Sequence, residues 1–300
     1  MPQGWIGSSK DIRYVPKEGL RLNFSERVSV FDVGPVPVLF PHLGELRCAI
    51  AVRIFNELDA AGFKTHFLRQ MSRTEILVSP FSVPEKGVTF DGVEGRMLPL
   101  EFLFRHVATK KFCGRVKDGS IDRTKVVRCL IDGWDLEPGT RLGPPFVECS
   151  TKHQDADEYV SDEVAAKLAR IDIETLMRIY DKVEAAAIFL KILFRQADFD
   201  LGDGKFEGAF LDDGSFVIAD SISPDEVRLI GSDGESYDKD PLRKWYETER
   251  PDWVKVLNEA KRHYPTDKSQ WPTYDAEPPQ YVVKEVVRRY TVVAEAIGAI

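Results

Sequence analysis

Positive charge is in deficit along this 300-residue chain: 41 lysines and arginines face 49 aspartates and glutamates, for a net charge of −8. That balance argues against a general nucleic-acid or membrane-surface binder and leaves room only for a local basic pocket. Cysteine is scarce as well. Cys48, Cys113, Cys129 and Cys149 are scattered without CxxC spacing, so neither a structural zinc site nor a disulfide framework is expected. No apolar run approaches the roughly 18 residues that would suggest a membrane span. No signal-peptide pattern opens the chain, and a reducing cytoplasm is the expected setting. Internal repeats and low-complexity tracts are missing, which excludes a solenoid.

What is present is enough for a substantial core. At 43% hydrophobic content the chain suffices for one large or two ordinary domains. Leu20-Arg21-Leu22-Asn23-Phe24 and Glu75-Ile76-Leu77-Val78 read as short strands. Between them Leu46, Ile50, Ile54, Phe55 and Leu58 recur at helical spacing and stop before Gly62. From Leu98 to about Glu148 apolar stretches alternate with turns, and Pro144-Pro145 enforces an extended backbone. A long helix is predicted after Asp172 as N-cap, with Leu176, Ile179, Val183, Ala186, Leu190, Leu193 and Ala197 on its stripe. Lys205-Phe206-Glu207, an Asp213-Gly214 turn and Ser215 to Asp220 form the strongest hairpin signal. The tail from Pro251 is rich in Trp, Pro and charge, ahead of a final helix near Val282 to Ile297.

The hairpin brings Glu207 and Asp220 within reach of each other. Two carboxylates on neighbouring strands can share a hard cation such as magnesium, or can be solvated acids on an outer face. Spacing leaves both readings open.

Several separated segments resemble the SAICAR synthetase family. Glu26-Arg27-Val28-Ser29-Val30-Phe31-Asp32 is similar to its DRVSAFD segment, and Gly7-Ser8-Ser9-Lys10-Asp11 to its GKxRD opening. Pro99-Leu100-Glu101 with Arg105 resembles PLExxVR, and Ser150-Thr151-Lys152 matches STK. Asp203 to Glu207 parallels DxKxEFG, Asp220 to Arg228 parallels DExxxPDxxR, and Ser236 to Trp245 is close to SFDKQxxRxW. These islands fall in the family's order across most of the chain.

The resemblance implies an α+β fold of two domains with antiparallel sheets and an ATP cleft between them. Residues 1–95 would form a nucleotide-binding domain and 96–300 a domain with metal and substrate residues. It implies an ATP- and magnesium-dependent ligase that joins an amino acid, L-aspartate or a similar one, to the carboxylate of a phosphorylated heterocyclic nucleotide. Glu207 and Asp220 would hold magnesium, and Lys10 and Lys205 would face ATP phosphates. Lys152 and Asp157 would lie near the reacting centre, with Lys205 also counted as catalytic. Ser29 and Asp32 would contact the substrate's sugar or base. Arg105 and Arg228 would take its 5′-phosphate, a task suited to the guanidinium fork. Lys239 and Arg243 belong to the late motif. Partners would be small molecules, and the chain a monomer or homo-oligomer.

Departures from the family pattern fall near ligands. Ser8 stands where the first Lys is usual, Leu43 where a Lys precedes the first helix, Ala156 where a His is usual, and Ser221 where a Glu follows the metal Asp. Lys111 replaces a serine after the phosphate-binding Arg and would add charge there. Three alternatives follow: a specialised natural-product paralogue acting on a different heterocycle, a non-catalytic nucleotide-binding protein, and a small-molecule kinase.

Overall fold

Short strands with alternating apolar residues build the first of two antiparallel sheets. In the computed structural model, which describes residues 4–90, 93–131, 135–152 and 158–300, these are β1 (Gly4–Ile6), β2 (Lys10–Val15), β3 (Gly19–Phe24), β4 (Phe67–Gln70) and β5 (Glu75–Val78). They lie in the order β1-β2-β3-β5-β4. Leu22, Phe24, Ile76 and Val78 are buried against α1 (Leu43–Ala60), whose stripe of Leu46, Ile50, Ile54 and Leu58 is buried as its spacing predicts. Gly44 permits the close approach, since a Cβ there would sit 2.5 Å from the Phe24 carbonyl oxygen. Leu43 is wholly buried, so that position serves packing.

The second sheet is made by β6 (Arg96–Val107), β7 (Arg141–Thr151), β8 (Tyr159–Val160), β9 (Asp200–Phe210) and β10 (Phe216–Ala219), in the order β10-β9-β6-β7-β8, with β11 (Val227–Ile230) also paired to β9. Between β6 and β7 the chain forms α2 (Lys110–Lys117) and α3 (Arg123–Val127) where only apolar stretches and turns are predicted. Eight and five residues are too short to display a periodic stripe, and Phe112, Cys113 and Val126 alone in them are buried. Their ends are capped by Thr109 and Asp122, whose side chains accept from Phe112 and Thr124 amides. After α4 (Asp162–Ala169), α5 (Ile173–Gln196) starts at the predicted cap: Asp172 accepts from the Thr175 amide at 2.6 Å.

The C-terminal part holds α6 (Asp240–Glu249), α7 (Pro251–His263) and α8 (Gln280–Ala296). Pro251 opens α7, where a missing N–H costs nothing, and Trp253 and Leu257 face inward. The tail therefore contains a helix that its Trp, Pro and charge conceal. One hydrophobic cluster runs from Leu22 through Ile54, Phe102 and Leu190 to Val293, so both sheets and α8 share a core.

Candidate active site

Strand pairing sorts the second sheet into an apolar and a charged face. Phe102 lies opposite Phe206 and Phe104 opposite Gly204, with the three rings within the core. Gly204 leaves the room this needs, because a Cβ there would meet the Phe104 ring at 2.5 Å. Residues one step along point the other way. Glu101 lies opposite both Ser150 and Glu207, Leu103 opposite Glu148 and Lys205, and Asp203 between Arg105 and Arg228. One face thus collects Arg105, Lys205, Glu207 and Arg228 of the predicted charged residues.

Glu101 organises the centre of that face. It is 3% exposed and accepts from Lys152 Nζ and Lys205 Nζ, each at 2.7 Å, while Lys152 Nζ also stands 2.9 Å from Glu207 Oε1. Burial alone would raise the Glu101 pKa, but the two ammonium groups outweigh it and hold the carboxyl below its ordinary range. Burial likewise opposes the charge of Lys152 and Lys205, and their carboxylate partners more than restore it, so both pKa values are raised.

The hairpin delivers the second acid. Glu207 pairs with Ala219, and Asp220 leaves the ladder with φ of 66°, a left-handed conformation uncommon for a residue with a side chain. His66 Nε2 lies 2.7 Å from the Asp220 carbonyl oxygen. Burial pushes the His66 pKa down to about 4, so a neutral imidazole supports this turn. Lys10 Nζ reaches Asp220 Oδ1 at 2.6 Å, Ser221 Oγ at 2.8 Å and Glu226 Oε1 at 4.0 Å. Despite burial, Lys10 holds the Asp220 pKa down to about 2. Glu207 is shifted upward by burial and by the Asp220 charge. Glu226 rises to about 7, chiefly through burial, with hydrogen bonds from the Ser223 amide and hydroxyl and from Ser221.

Two partly buried acids that repel each other fit a divalent cation. Among the described residues no three His, Cys, Asp or Glu side chains form a ligand cluster. The pair therefore suits a cation completing its shell with phosphate oxygens and water, the usual manner of magnesium.

These groups open on a cavity of about 580 Å3 between the sheets. Ile12, Leu22 and Val78 of the first sheet line one side, and Lys205, Glu207 and Asp220 the other. Ser8, Lys10, Ser29, Asp32, Lys152 and Lys239 also line it. A similarly large, more open groove beside Phe63, Pro80 and Leu211 contains none of the charged residues described above.

Arg105 lies outside the cavity lining, farther along the charged face. Glu148 takes Arg105 Nη2 at 2.8 Å and Arg115 Nη1 at 2.9 Å. Arg105 Nη2 also donates to the Tyr159 hydroxyl, with Arg115 stacked on the Tyr159 ring at 3.5 Å and Lys111 Nζ 5.1 Å from its centre. Arg105 Nε is buried without a hydrogen-bond partner among the described residues, a donor that an anion would satisfy. Arg228 stands 3.6 Å from Asp203, and Arg243 is on α6 near Asp238, apart from the cavity lining. Asp157 and Ala156 lie outside the described residues. Sequence reasoning assigned no role to Glu101, Arg115, His66 or Glu226. Glu101 was visible within the Pro99-Leu100-Glu101 segment, but its neighbours come from strands about 50 and 100 residues away.

Comparison with known proteins agrees with this architecture. The family model described as SAICAR synthetase matches residues 6–260. A putative phosphoribosylaminoimidazole-succinocarboxamide synthase of Archaeoglobus fulgidus is 29% identical over 285 residues, covering 85% of this chain and 83% of that protein. The phosphoribosylaminoimidazole-succinocarboxamide synthase of Streptococcus thermophilus is 31% identical over 241 residues, covering 80% and 89% respectively. Among solved structures, the Saccharomyces cerevisiae SAICAR synthase complexed with SAICAR aligns with a TM-score of 0.71 at 18% identity, covering 98% of this chain and 93% of that one. The Pyrococcus horikoshii SAICAR synthetase gives 0.63 at 22% identity, covering 94% and 97%. Those two likenesses concern the fold. By the extent of the family match and the identity to its relatives, the chain belongs to the SAICAR synthetase family.

Proposed function

We propose that this chain is an ATP-dependent ligase that couples the amine of L-aspartate to the carboxylate of carboxyaminoimidazole ribonucleotide. The observation that carries this reading is the charged row Lys152, Glu101, Lys205 and Glu207, with Asp220 and its partner Lys10 beside Glu207 at one cavity. A substrate carboxylate oxygen attacks the γ-phosphorus of ATP and ADP departs. The amine nitrogen then attacks the acyl carbon, the C–O bond to phosphate breaks, and the amine loses a proton as the amide forms. Activation is needed because a free carboxylate is a poor electrophile and oxide a poor leaving group.

This chain's residues position the reactants and neutralise charge. In this reading ATP occupies the inter-sheet cavity, with residues 1–95 as its nucleotide-binding domain and 96–300 carrying metal and substrate residues. Lys10 and Lys205 face its phosphates, and Glu101 keeps Lys152 and Lys205 protonated and in place beside the reacting centre. Glu207 and Asp220 would hold magnesium. When bound, that ion offsets charge on phosphate oxygens. Ser29 and Asp32 contact the substrate's sugar or base. Arg105, Lys111 and Arg228 bind its 5′-phosphate, and the unpartnered Arg105 Nε supports that assignment. Lys239 and Arg243 support the substrate side, Lys239 through its 3.2 Å contact with Asp225. Asp157 is assigned near the reacting centre on resemblance alone. No helix among the described residues is long and apolar enough to cross a membrane, and the reading places the protein in the cytoplasm.

One observation favours a second reading, a paralogue acting on another phosphorylated heterocycle. Lys111 adds a cation beside Arg105 and Arg115, where relatives in the resemblance carry serine. Purified protein given ATP, magnesium, carboxyaminoimidazole ribonucleotide and aspartate is expected to release ADP and yield an amide by mass spectrometry. Robust turnover sinks the paralogue, and failure of a whole panel of nucleotide carboxylates and amino acids to give any amide sinks the ligase. Glu207→Gln is expected to lower kcat by about a hundredfold or more while circular dichroism shows an intact fold.

A further inference from the structure

The Ser29–Pro35 loop carries two cavity-lining residues, Ser29 and Asp32, on strained backbone. Phe31 and Asp32 have φ of 57° and 56°, two successive side-chain-bearing residues in the left-handed region. That conformation is disfavoured by clash of Cβ with the backbone and persists only where surroundings impose it.

The surroundings are supplied by the segment between α7 and α8. The Tyr274 hydroxyl accepts from the Val30 amide at 3.2 Å and turns its proton toward the carbonyls of Val30, at 2.6 Å, and Gly34, at 3.0 Å. One side chain therefore spans both limbs of the loop. Its ring stacks on Trp253 at 5.3 Å, and Phe31 meets Trp253 edge-on at 5.9 Å.

Tyr274 is itself held firmly. Trp253 Nε1 donates to the Thr273 carbonyl at 2.8 Å, Tyr246 Oη donates to the Ala276 carbonyl at 2.7 Å, and Arg250 pairs with Asp275 at 2.9 Å. The anchor is thus α6 and α7. From α7, Lys261 Nζ also stands 3.4 Å from Asp32 Oδ2.

We infer that Tyr274 is a positioning residue that imposes the left-handed turn at Phe31 and Asp32 and so sets where Ser29 and Asp32 stand in the cavity. It lies outside the stretch matched to the family, 6–260. The kinetic part of this inference rests on the proposed ligase activity, whereas the loop geometry does not.

Tyr274→Phe tests it, because the ring and its stacking remain and only the hydroxyl is lost. In full-length protein without ligands, amide hydrogen exchange of residues 28–36 is expected to quicken about tenfold, with other segments unchanged. With carboxyaminoimidazole ribonucleotide, aspartate and ATP, KM for the nucleotide carboxylate is expected to rise about tenfold while KM for ATP stays within about twofold. The melting temperature should fall by no more than about 3 °C. Wild-type exchange in this segment overturns the inference. So does a variant whose KM values for both nucleotides rise together with a large loss of melting temperature, the signature of a merely structural role. Absence of turnover in the wild-type protein refutes the ligase reading instead, and the exchange measurement then decides the role of Tyr274 by itself.

Discussion

Single ionisable side chains are kept inside this protein by unlike means. Glu101, Lys152, Lys205 and Glu207 remain charged or partly so by mutual pairing, whereas His106 is held neutral. It is 1% exposed, with Nε2 at 3.1 Å from the Ala187 carbonyl oxygen, and burial, aided by nearby Lys191, pushes its pKa down to about 4. An unfolded histidine titrates near 6.5, so between those values the unfolded chain binds more protons than the folded one. The stability due to neutral His106 is complete above about pH 6.5 and is lost as pH falls toward 4. His106→Gln removes this titration. Thermal melts from pH 7 to 5 are expected to show the gap between wild type and variant narrowing on acidification, and a constant gap would contradict the assignment. At this scale the motifs pointed to charged residues by type, but the roles of Glu101, His66 and Glu226 were not legible in them. Each acts through a partner remote in sequence, as His66 does through the Asp220 carbonyl.

At the scale of elements, the β9–β10 hairpin was legible because alternation and an Asp-Gly turn are local signals. Its internal geometry depends on a position that carries no side chain. A Cβ at Gly208 would meet the Phe216 ring at 2.1 Å, and that ring has little room to yield, being 5% exposed and edge-on to Phe102 at 5.4 Å. Gly208→Ala is therefore expected to push β10 away from β9, destabilise the fold by about 1–3 kcal/mol and separate Glu207 from Asp220. Urea denaturation with a parallel assay measures both effects, and an unchanged midpoint would show that the ring can move. The helices α2, α3 and α7 were not legible. The first two are too short to show a stripe, and α7 buries only Trp253 and Leu257 beneath a charged surface.

Across the whole molecule, the two sheets are tied by a buried charge as well as by a common core. Arg47 of α1, 1% exposed, donates through Nε to Asp225 Oδ2 at 2.6 Å and through Nη1 to the carbonyls of Ser25 and Arg27 at 2.7 and 2.8 Å. It thereby joins the first helix, the loop after β3 and the segment after β10. Arg47→Met leaves Asp225 with Lys239 as its remaining cationic partner at 3.2 Å. The expected loss is about 3–5 kcal/mol, read from chemical denaturation, because a buried carboxylate loses most of its compensation. A loss under about 1 kcal/mol would mean that water or Lys239 replaces the guanidinium. By itself the sequence determined the long helices α1 and α5, the strands β3, β5, β9 and β10 and the order of the family's segments, since spacings of two, three and four residues and turn chemistry act over short stretches. Only the tertiary structure decided that Glu101 stands between Ser150 and Glu207, that Arg105 and Arg228 flank Asp203, and that Tyr274 grips the turn at Phe31 and Asp32. Those contacts join residues 25 to 244 positions apart, and strand register and core packing bring them together where no local pattern can.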